Sequence, residues 1–218
     1  MAIAELTISS KIYSSWSLRA WLLCRLAGLR VVEKMIALEN PENRAELLLL
    51  TPSVLVPRLT HEGASVWDTL AIAEYLHELY PNVGMYPKDR IVRAHCRSVS
   101  GEIHSGFANL RSALPMNLKV RHKKFPIFSG AKPDIERIET IWRECLDAHG
   151  GPWLFGEEQT VADAMFAPVA QRFLTYAVPL SAKSAAYCSS INGWDFMREW
   201  IDDARKQPDE VEELDVEF

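Results

Sequence analysis

Apolar residues follow two different periods in the first eighty residues of the chain. Short alternating or β-branched runs predict strands over residues 4–9, 31–38, 56–60 and 64–67. Stripes with a period of three to four residues predict helices over 17–29, over 41–50 and from Asp68 to just before Pro81. The resulting element order is β-α-β-α-β-β-α. Since two parallel strands need a crossover helix between them, this order predicts a mixed sheet flanked by helices.

Helical stripes take over after residue 90, where the strand period disappears. They predict one helix over 90–114, closed by Pro115, and another from Pro133 to the Gly150–Gly151 pair. The segment 160–163 has the form of a capping box ahead of a buried helix, and a last helix is expected near 194–204. We therefore predict an α/β plus all-α chain. It has a thioredoxin-like domain over 1–80, a Pro- and Gly-containing linker over 81–90 and a helical-bundle domain over 91–218.

Composition and charge narrow the classes of partner. The 218 residues are 48% hydrophobic and 24% charged, which is typical of a globular chain. A net charge of −5 does not favour binding to nucleic acid or to an anionic membrane surface, and no apolar run is long enough to span a membrane. The four cysteines show no CxxC spacing, and the N-terminus shows no secretion signal. We expect buried thiols, a cytoplasmic location and a small molecule or a protein as ligand.

Four separated motifs give the chain a specific resemblance. They are Ser14-Ser15-Trp16-Ser17-Leu18-Arg19, Val56-Pro57-Arg58-Leu59, the stretch from Trp67-Asp68-Thr69 to Leu76, and Thr160-Val161-Ala162-Asp163. In this order and spacing, the chain resembles the serine-type, bacterial-like cytosolic glutathione transferases over nearly its whole length. The resemblance implies that the first domain binds glutathione, that the helical domain binds a hydrophobic electrophile, and that the protein is a homodimer.

Ser14 is the residue that the resemblance implies for thiol activation. A free thiol has a pKa near 8.5, so only about 3% of it is thiolate at neutral pH. A hydroxyl donor at the N-terminal end of a helix stabilises the thiolate, because the donor and the helix dipole both favour negative charge. Tyr13, Ser15 and Ser17 lie close enough in sequence to compete for this role, and we expect Ser17 to cap the helix.

The glutathione site implied by the resemblance comprises Leu55, Val56, Pro57, Asp68 and Thr69. Pro57 is expected to be cis and to turn the backbone of Val56 toward the cysteinyl part of the ligand. Asp68 would accept the γ-glutamyl ammonium, and Thr69 with the helix N–H groups would receive its carboxylate. The alternative is that Asp68 is only a helix cap. Family members often carry a long polar side chain where Leu55 stands, so glutathione binding is expected to be weak or to depend on Arg44 or another nearby group.

The electrophile pocket is expected to include Trp16, His104, Phe107 and Arg111. His104 could act as a general acid or form local hydrogen bonds. The histidines show no metal-ligand spacing, so no metal is expected. The resulting hypothesis is a glutathione transferase that moves an alkyl or aryl group. The alternative is a non-catalytic binding or scaffold protein on the same fold.

Overall fold

The computed structural model describes residues 4–36 and 56–208. Four strands and eight α-helices lie within these ranges. The strands are β1 Ala4–Ile8, β2 Val31–Met35, β3 Arg58–His61 and β4 Ala64–Trp67. The helices are α1 Ser15–Leu26, α2 Thr69–Leu79, α3 Arg90–Ser105, α4 Ala108–Ala113, α5 Lys132–His149, α6 Val161–Thr175, α7 Ala182–Gly193 and α8 Asp195–Lys206. The helix expected over 41–50 lies outside the described residues.

The N-terminal domain is thioredoxin-like and is built on a mixed sheet with the strand order β2-β1-β3-β4. Strand β1 runs parallel to β2 and antiparallel to β3, and β3 and β4 form an antiparallel hairpin. Leu6 of β1 lies opposite Leu59 of β3, and both side chains are fully buried. Helix α1 makes the crossover between the two parallel strands, as the element order predicts. The predicted mixed sheet is confirmed.

The C-terminal domain is helical and is organised around α6. Every residue of this helix except Leu174 is buried, and the helix contacts α1, α3 and α7. A capping box opens it, because the Asp163 carboxylate accepts hydrogen bonds from the Thr160 backbone N–H at 2.8 Å and from its hydroxyl at 3.0 Å. The predicted capping box and buried helix are confirmed. Since α6 also packs against α1, it joins the helical domain to the thioredoxin-like domain.

The single helix predicted over 90–114 is wrong. The backbone breaks at Gly106 and Phe107, where Phe107 adopts the left-handed conformation with φ of 64°, and α4 begins only at Ala108. The apolar stripe continues across the break, since Ile103, Phe107 and Leu110 are all buried. The period of the apolar residues predicts which side chains face the core, but it does not predict whether the helical backbone continues between them.

Other differences concern the ends of elements. Helix α1 begins at Ser15 and ends at Leu26, instead of spanning 17–29. The apolar pattern does not predict α7, because alanine and serine dominate this helix and leave no clear stripe. The boundaries at residues 80 and 90 between the two domains stay a prediction. None of the helices in the described ranges is both long and apolar enough to cross a membrane.

Candidate active site

A cleft lies where the two domains face each other. Its walls come from α1, the segment before β3, the start of α2 and the end of α3, and its volume is about 310 Å³. The lining residues are Trp16, Val56, Pro57, Asp68, Thr69, His104 and Ser105. Five of the sequence-predicted site residues in the first domain, together with His104 of the second, therefore meet at one place.

Ser14 caps helix α1, which contributes Trp16 to the cleft, and Ser14 itself is not among the lining residues. Its Oγ accepts a hydrogen bond from the backbone N–H of Ser17 at 3.2 Å and donates one to the Ser17 hydroxyl at 2.8 Å. The Ser17 hydroxyl also accepts from the Ser9 N–H at 3.1 Å and is fully buried. The expectation that Ser17 caps the helix is wrong, because Ser17 lies in the first turn and supports the capping residue. Ser14 is half-buried, whereas Ser15 is buried.

The peptide bond between Val56 and Pro57 is cis, as the family resemblance implies. Pro57 is buried and Val56 is half-buried, and both line the cleft. The cis bond places the backbone of Val56 at the cleft wall directly before β3. Leu55 and Arg44, the residues on which the predicted affinity depends, lie outside the described residues.

Asp68 is the N-cap of α2. One carboxylate oxygen, Oδ1, accepts hydrogen bonds from the N–H groups of Leu70 at 2.8 Å and Ala71 at 3.4 Å. The backbone of Asp68 has φ of 77° and ψ of 136°, a conformation that side-chain-bearing residues rarely adopt and that costs about 1–3 kcal/mol. Such strain is concentrated at functional sites in proteins, so capping alone is a poor account of this residue. Its side chain is exposed toward the cleft, and Thr69 beside it is buried.

His104 of α3 reaches across the cleft to both of these residues. Its Nε2 lies 3.0 Å from Oδ2 of Asp68, and its Nδ1 lies 3.3 Å from the Thr69 hydroxyl. The ring also packs edge-on against Trp16, with 5.1 Å between the ring centroids. The imidazole therefore joins the helical domain to the predicted γ-glutamyl site. The sequence motifs contain no signal for this contact, because 35 residues separate His104 from Thr69.

Three arginines of the interior form a second feature beside the cleft. The guanidiniums of Arg19 and Arg111 lie 4.6 and 4.8 Å from the Trp16 ring centroid. Arg19 is fully buried, its Nε donates to the Met165 carbonyl at 2.8 Å, and its two terminal nitrogens have no hydrogen-bond acceptor among the described residues. Burial, with Arg111 and Arg172 nearby, lowers the pKa of Arg19 well below its ordinary value.

Arg172 of α6 is also buried, and burial lowers its pKa to about 10. Its Nε donates to the Leu114 carbonyl at 2.9 Å. Sequence analysis missed this cluster as a site, although an arginine within the otherwise apolar run of α6 is a usable signal. Arg111 is close enough to contribute to the lowered pKa of both Arg19 and Arg172. The three guanidiniums, which donate to carbonyl groups, create a positive potential beside Trp16.

The remaining predicted pocket residues have other surroundings. Phe107 is buried at the break before α4 and is not among the residues that line the cleft. Arg111 is half-buried, and its guanidinium donates to the carbonyls of Gly106, Ile103 and His104, which caps the C-terminal end of α3. Across residues 4–36 and 56–208, no group of three histidine, cysteine or acidic side chains could hold a metal ion.

Comparisons with known proteins place both halves of the chain. A protein-family model described as "Glutathione S-transferase, N-terminal domain" matches residues 13–79, and one described as "Glutathione S-transferase, C-terminal domain" matches residues 119–203. A probable maleylacetoacetate isomerase of Caenorhabditis elegans is 32% identical over 164 residues, which cover 72% of this chain and 76% of that protein. Glutathione S-transferase 1 of Dianthus caryophyllus is 29% identical over 157 residues, 71% of each chain.

Two solved structures share the fold. A glutathione transferase homologue from Burkholderia, with bound glutathione, has a TM-score of 0.72 at 22% identity and covers 94% of this chain and 99% of its own. Maleyl pyruvate isomerase, a bacterial zeta-class glutathione S-transferase, has a TM-score of 0.71 at 21% identity and covers 95% of this chain and 100% of its own. At these identities the likeness is one of fold.

Proposed function

Because the chain belongs to the cytosolic glutathione S-transferase superfamily, we propose that it binds glutathione in the interdomain cleft and activates the thiol for attack on an electrophile. The observation that carries this proposal is the meeting of cis Pro57, the strained cap Asp68 and the hydroxyl of Thr69 in one cleft beside the start of α1. Each group offers a different contact to the tripeptide. Val56 offers backbone groups to the cysteinyl part, and α2 offers its N-terminal end to the γ-glutamyl part.

Ser14 supplies the hydroxyl in this proposal. As an N-cap it stands at the positive end of the α1 dipole, where a thiolate is stabilised. Its proton points to Ser17, and a thiolate, as the stronger acceptor, would draw that hydrogen bond to itself. Each unit by which the thiol pKa falls corresponds to about 1.4 kcal/mol of preference for the thiolate. The Ser17 hydroxyl accepts from Ser9 N–H, which fixes it behind Ser14.

The electrophile would enter beside Trp16 and the adjoining arginines. A hydrophobic alkyl or aryl electrophile, attacked with loss of its leaving group, is the transferase reaction. His104 is the candidate to protonate that leaving group, since it lines the same cleft. Phe107 and Arg111 stay predicted members of the pocket. In a non-catalytic scaffold protein the activating hydroxyl and the thiol chemistry would be dispensable.

A second candidate is glutathione-dependent cis–trans isomerisation of an unsaturated carboxylate. The thiolate adds to one carbon of the double bond, the resulting single bond rotates, and elimination returns the thiolate and the isomerised double bond. Two observations favour it. The guanidiniums of Arg19 and Arg111 adjoin the Trp16 wall of the cleft and suit an anionic substrate, and the relatives named above include a probable maleylacetoacetate isomerase.

Titration with glutathione tests the proposal directly. We expect saturable binding by calorimetry and a thiolate absorbance in the ultraviolet that Ser14→Ala removes. Ser112→Ala, on the exposed side of α4, is the matched serine control and should keep the signal. No binding at millimolar glutathione would refute the enzyme proposal and favour the scaffold.

Comparing the rate of turnover of an aryl halide with that of a maleyl-type carboxylate then distinguishes the transferase from the isomerase. A homodimer and a cytoplasmic location stay predictions.

A further inference from the structure

With a neutral imidazole, the hydrogen bonds of His104 leave one proton too few for the proposed glutathione site. The Asp68 carboxylate, which pairs with Nε2 of the imidazole, can only accept a hydrogen bond when it is ionised. A neutral imidazole carries one N–H, so that proton must lie on Nε2. Nδ1 is then an acceptor, and the Thr69 hydroxyl must donate to it across 3.3 Å.

In that arrangement the Thr69 hydroxyl is unavailable to a ligand. It has a single proton, which is directed to Nδ1 of His104. A carboxylate accepts hydrogen bonds and donates none, so the γ-glutamyl carboxylate could not use this hydroxyl as a donor. With a neutral imidazole, one of the proposed recognition groups therefore has the wrong polarity for the ligand carboxylate.

A second proton on the ring reverses the polarity. The imidazolium donates from Nε2 to Asp68 and from Nδ1 to the Thr69 oxygen, which releases the hydroxyl proton toward the cleft. Asp68 keeps lone pairs for the ligand ammonium, because its side chain is 44% exposed and Oδ1 is held by the helix N–H groups. The same change brings a positive charge next to the ligand carboxylate.

We propose that His104 positions the γ-glutamyl end of glutathione and that binding of this end adds a proton to the imidazole. The inference rests on the proposed function and assigns His104 a role in binding that is separate from leaving-group protonation. The charged groups around the ring, within the described ranges, are Asp68 of α2, Arg111 of α4, which donates to the His104 carbonyl, and Arg19 of α1 behind Trp16. Glu102, two residues earlier on α3, is paired with Arg137.

Calorimetry with S-methylglutathione tests this proton linkage. The probe has no free thiol, so proton release from thiol activation does not contribute. Binding enthalpies measured in phosphate and in Tris at the same pH give the number of protons taken up per ligand. We expect net uptake by the wild type near neutral pH, and an affinity that rises toward acid by up to about tenfold per pH unit.

His104→Gln keeps an amide donor near Asp68 but cannot take up a proton, so it should bind with no proton uptake. Thr69→Val removes the hydroxyl and should both lose the uptake and weaken binding by about tenfold. His122→Gln is the matched control, because this ring stacks on Tyr176 and is not among the cleft-lining residues. It should behave as the wild type.

Two results would overturn the inference alone: saturable binding by the wild type without proton uptake, or uptake that persists in His104→Gln or in Thr69→Val. Absence of S-methylglutathione binding by the wild type would overturn the proposed function together with the inference. The two failures are therefore distinguishable in a single set of titrations.

Discussion

Lys11→Met tests the ion pairs that hold α8 against the loop leading to Ser14. The Lys11 ammonium is 6% exposed and lies 2.6 Å from the Glu33 carboxylate and 3.0 Å from that of Asp203. It also lies 5.0 Å from the centroid of the Trp200 ring, whose indole N–H donates to the Lys11 carbonyl at 3.0 Å. Methionine preserves the apolar stem between these groups and removes the charge.

The expected loss of stability is about 2 kcal/mol. Removing one partner of a buried ion pair costs about 3–5 kcal/mol, whereas exposed pairs contribute about 0–1 kcal/mol. The two carboxylates are 27% and 37% exposed, so they regain water when the ammonium is lost. Each also keeps another donor, since Trp21 donates to Glu33 at 2.7 Å and Lys206 to Asp203 at 2.9 Å. The cost therefore lies between the two limits and corresponds to a fall in Tm of about 4–8 °C.

Urea unfolding followed by tryptophan fluorescence measures this difference. Lys206→Met is the matched control, because its ammonium is 74% exposed and also contacts Asp203, and it should destabilise the protein much less than Lys11→Met does. Hydrogen bonds from Lys206 and Lys11 lower the pKa of Asp203. The stability from this depressed pKa is present above the unfolded value, near 3.9, and is lost as the pH falls through the folded value. Lys11→Met should flatten that acid loss.

A gain in stability, or no change, would refute the reasoning. Either result would mean that the free energy of desolvating the Lys11 ammonium equals or exceeds that of its two ion pairs. A loss as large in Lys206→Met as in Lys11→Met would show that burial of the ammonium does not decide the magnitude.

Three other substitutions or modifications test the interior. Asp163→Ala should lower the free energy of unfolding, measured in urea, by about 3–5 kcal/mol, because the Asp163 carboxylate accepts hydrogen bonds from four buried donors, including the Tyr187 hydroxyl at 3.0 Å. A decrease below about 1 kcal/mol would contradict this expectation. Gly106→Ala should lower the free energy of unfolding by about 1–2 kcal/mol, because the added Cβ would lie 2.9 Å from the Glu102 carbonyl oxygen. An unchanged stability would show that the backbone at the break before α4 shifts to make room for the methyl group. Four buried thiols should resist alkylation by iodoacetamide until the protein unfolds, because burial raises the pKa of each to about 12: those of Cys24, Cys96, Cys145 and Cys188. Mass spectrometry measures the alkylation, and rapid alkylation of the native protein would contradict the burial of these thiols.

The features of the fold that were predictable are those with local causes. The hairpin of β3 and β4 turns at Glu62 and Gly63, both at positive φ, as the short polar and glycine-containing turn indicates. The α6 capping box follows from the spacing of Thr160 and Asp163 alone. The break before α4 was not predictable in this way, because Phe107 continues the apolar stripe while its own backbone leaves the helix.

The candidate site divides along the same line. Ser14, Pro57 and Asp68 were recognisable because each stands in a short motif that resembles those of the family, and the structure places them at a helix cap, a cis peptide bond and a helix start. The choice between Ser14 and Ser17 as cap required the structure. Both are serines in the same turn, and only the position of the first helical residue distinguishes them.

The sequence by itself determined the order of elements, the buried faces and the local chemistry of the motifs, since each depends on residues within about one or two turns of one another. Tertiary structure alone decided the contact of His104 with Asp68 and Thr69 and the approach of Arg111 to Trp16. These contacts depend on how α3 and α4 pack against the first domain. Periodicity shows which face of a helix is buried, but the residues of another element that this face contacts are determined by how the whole elements pack together.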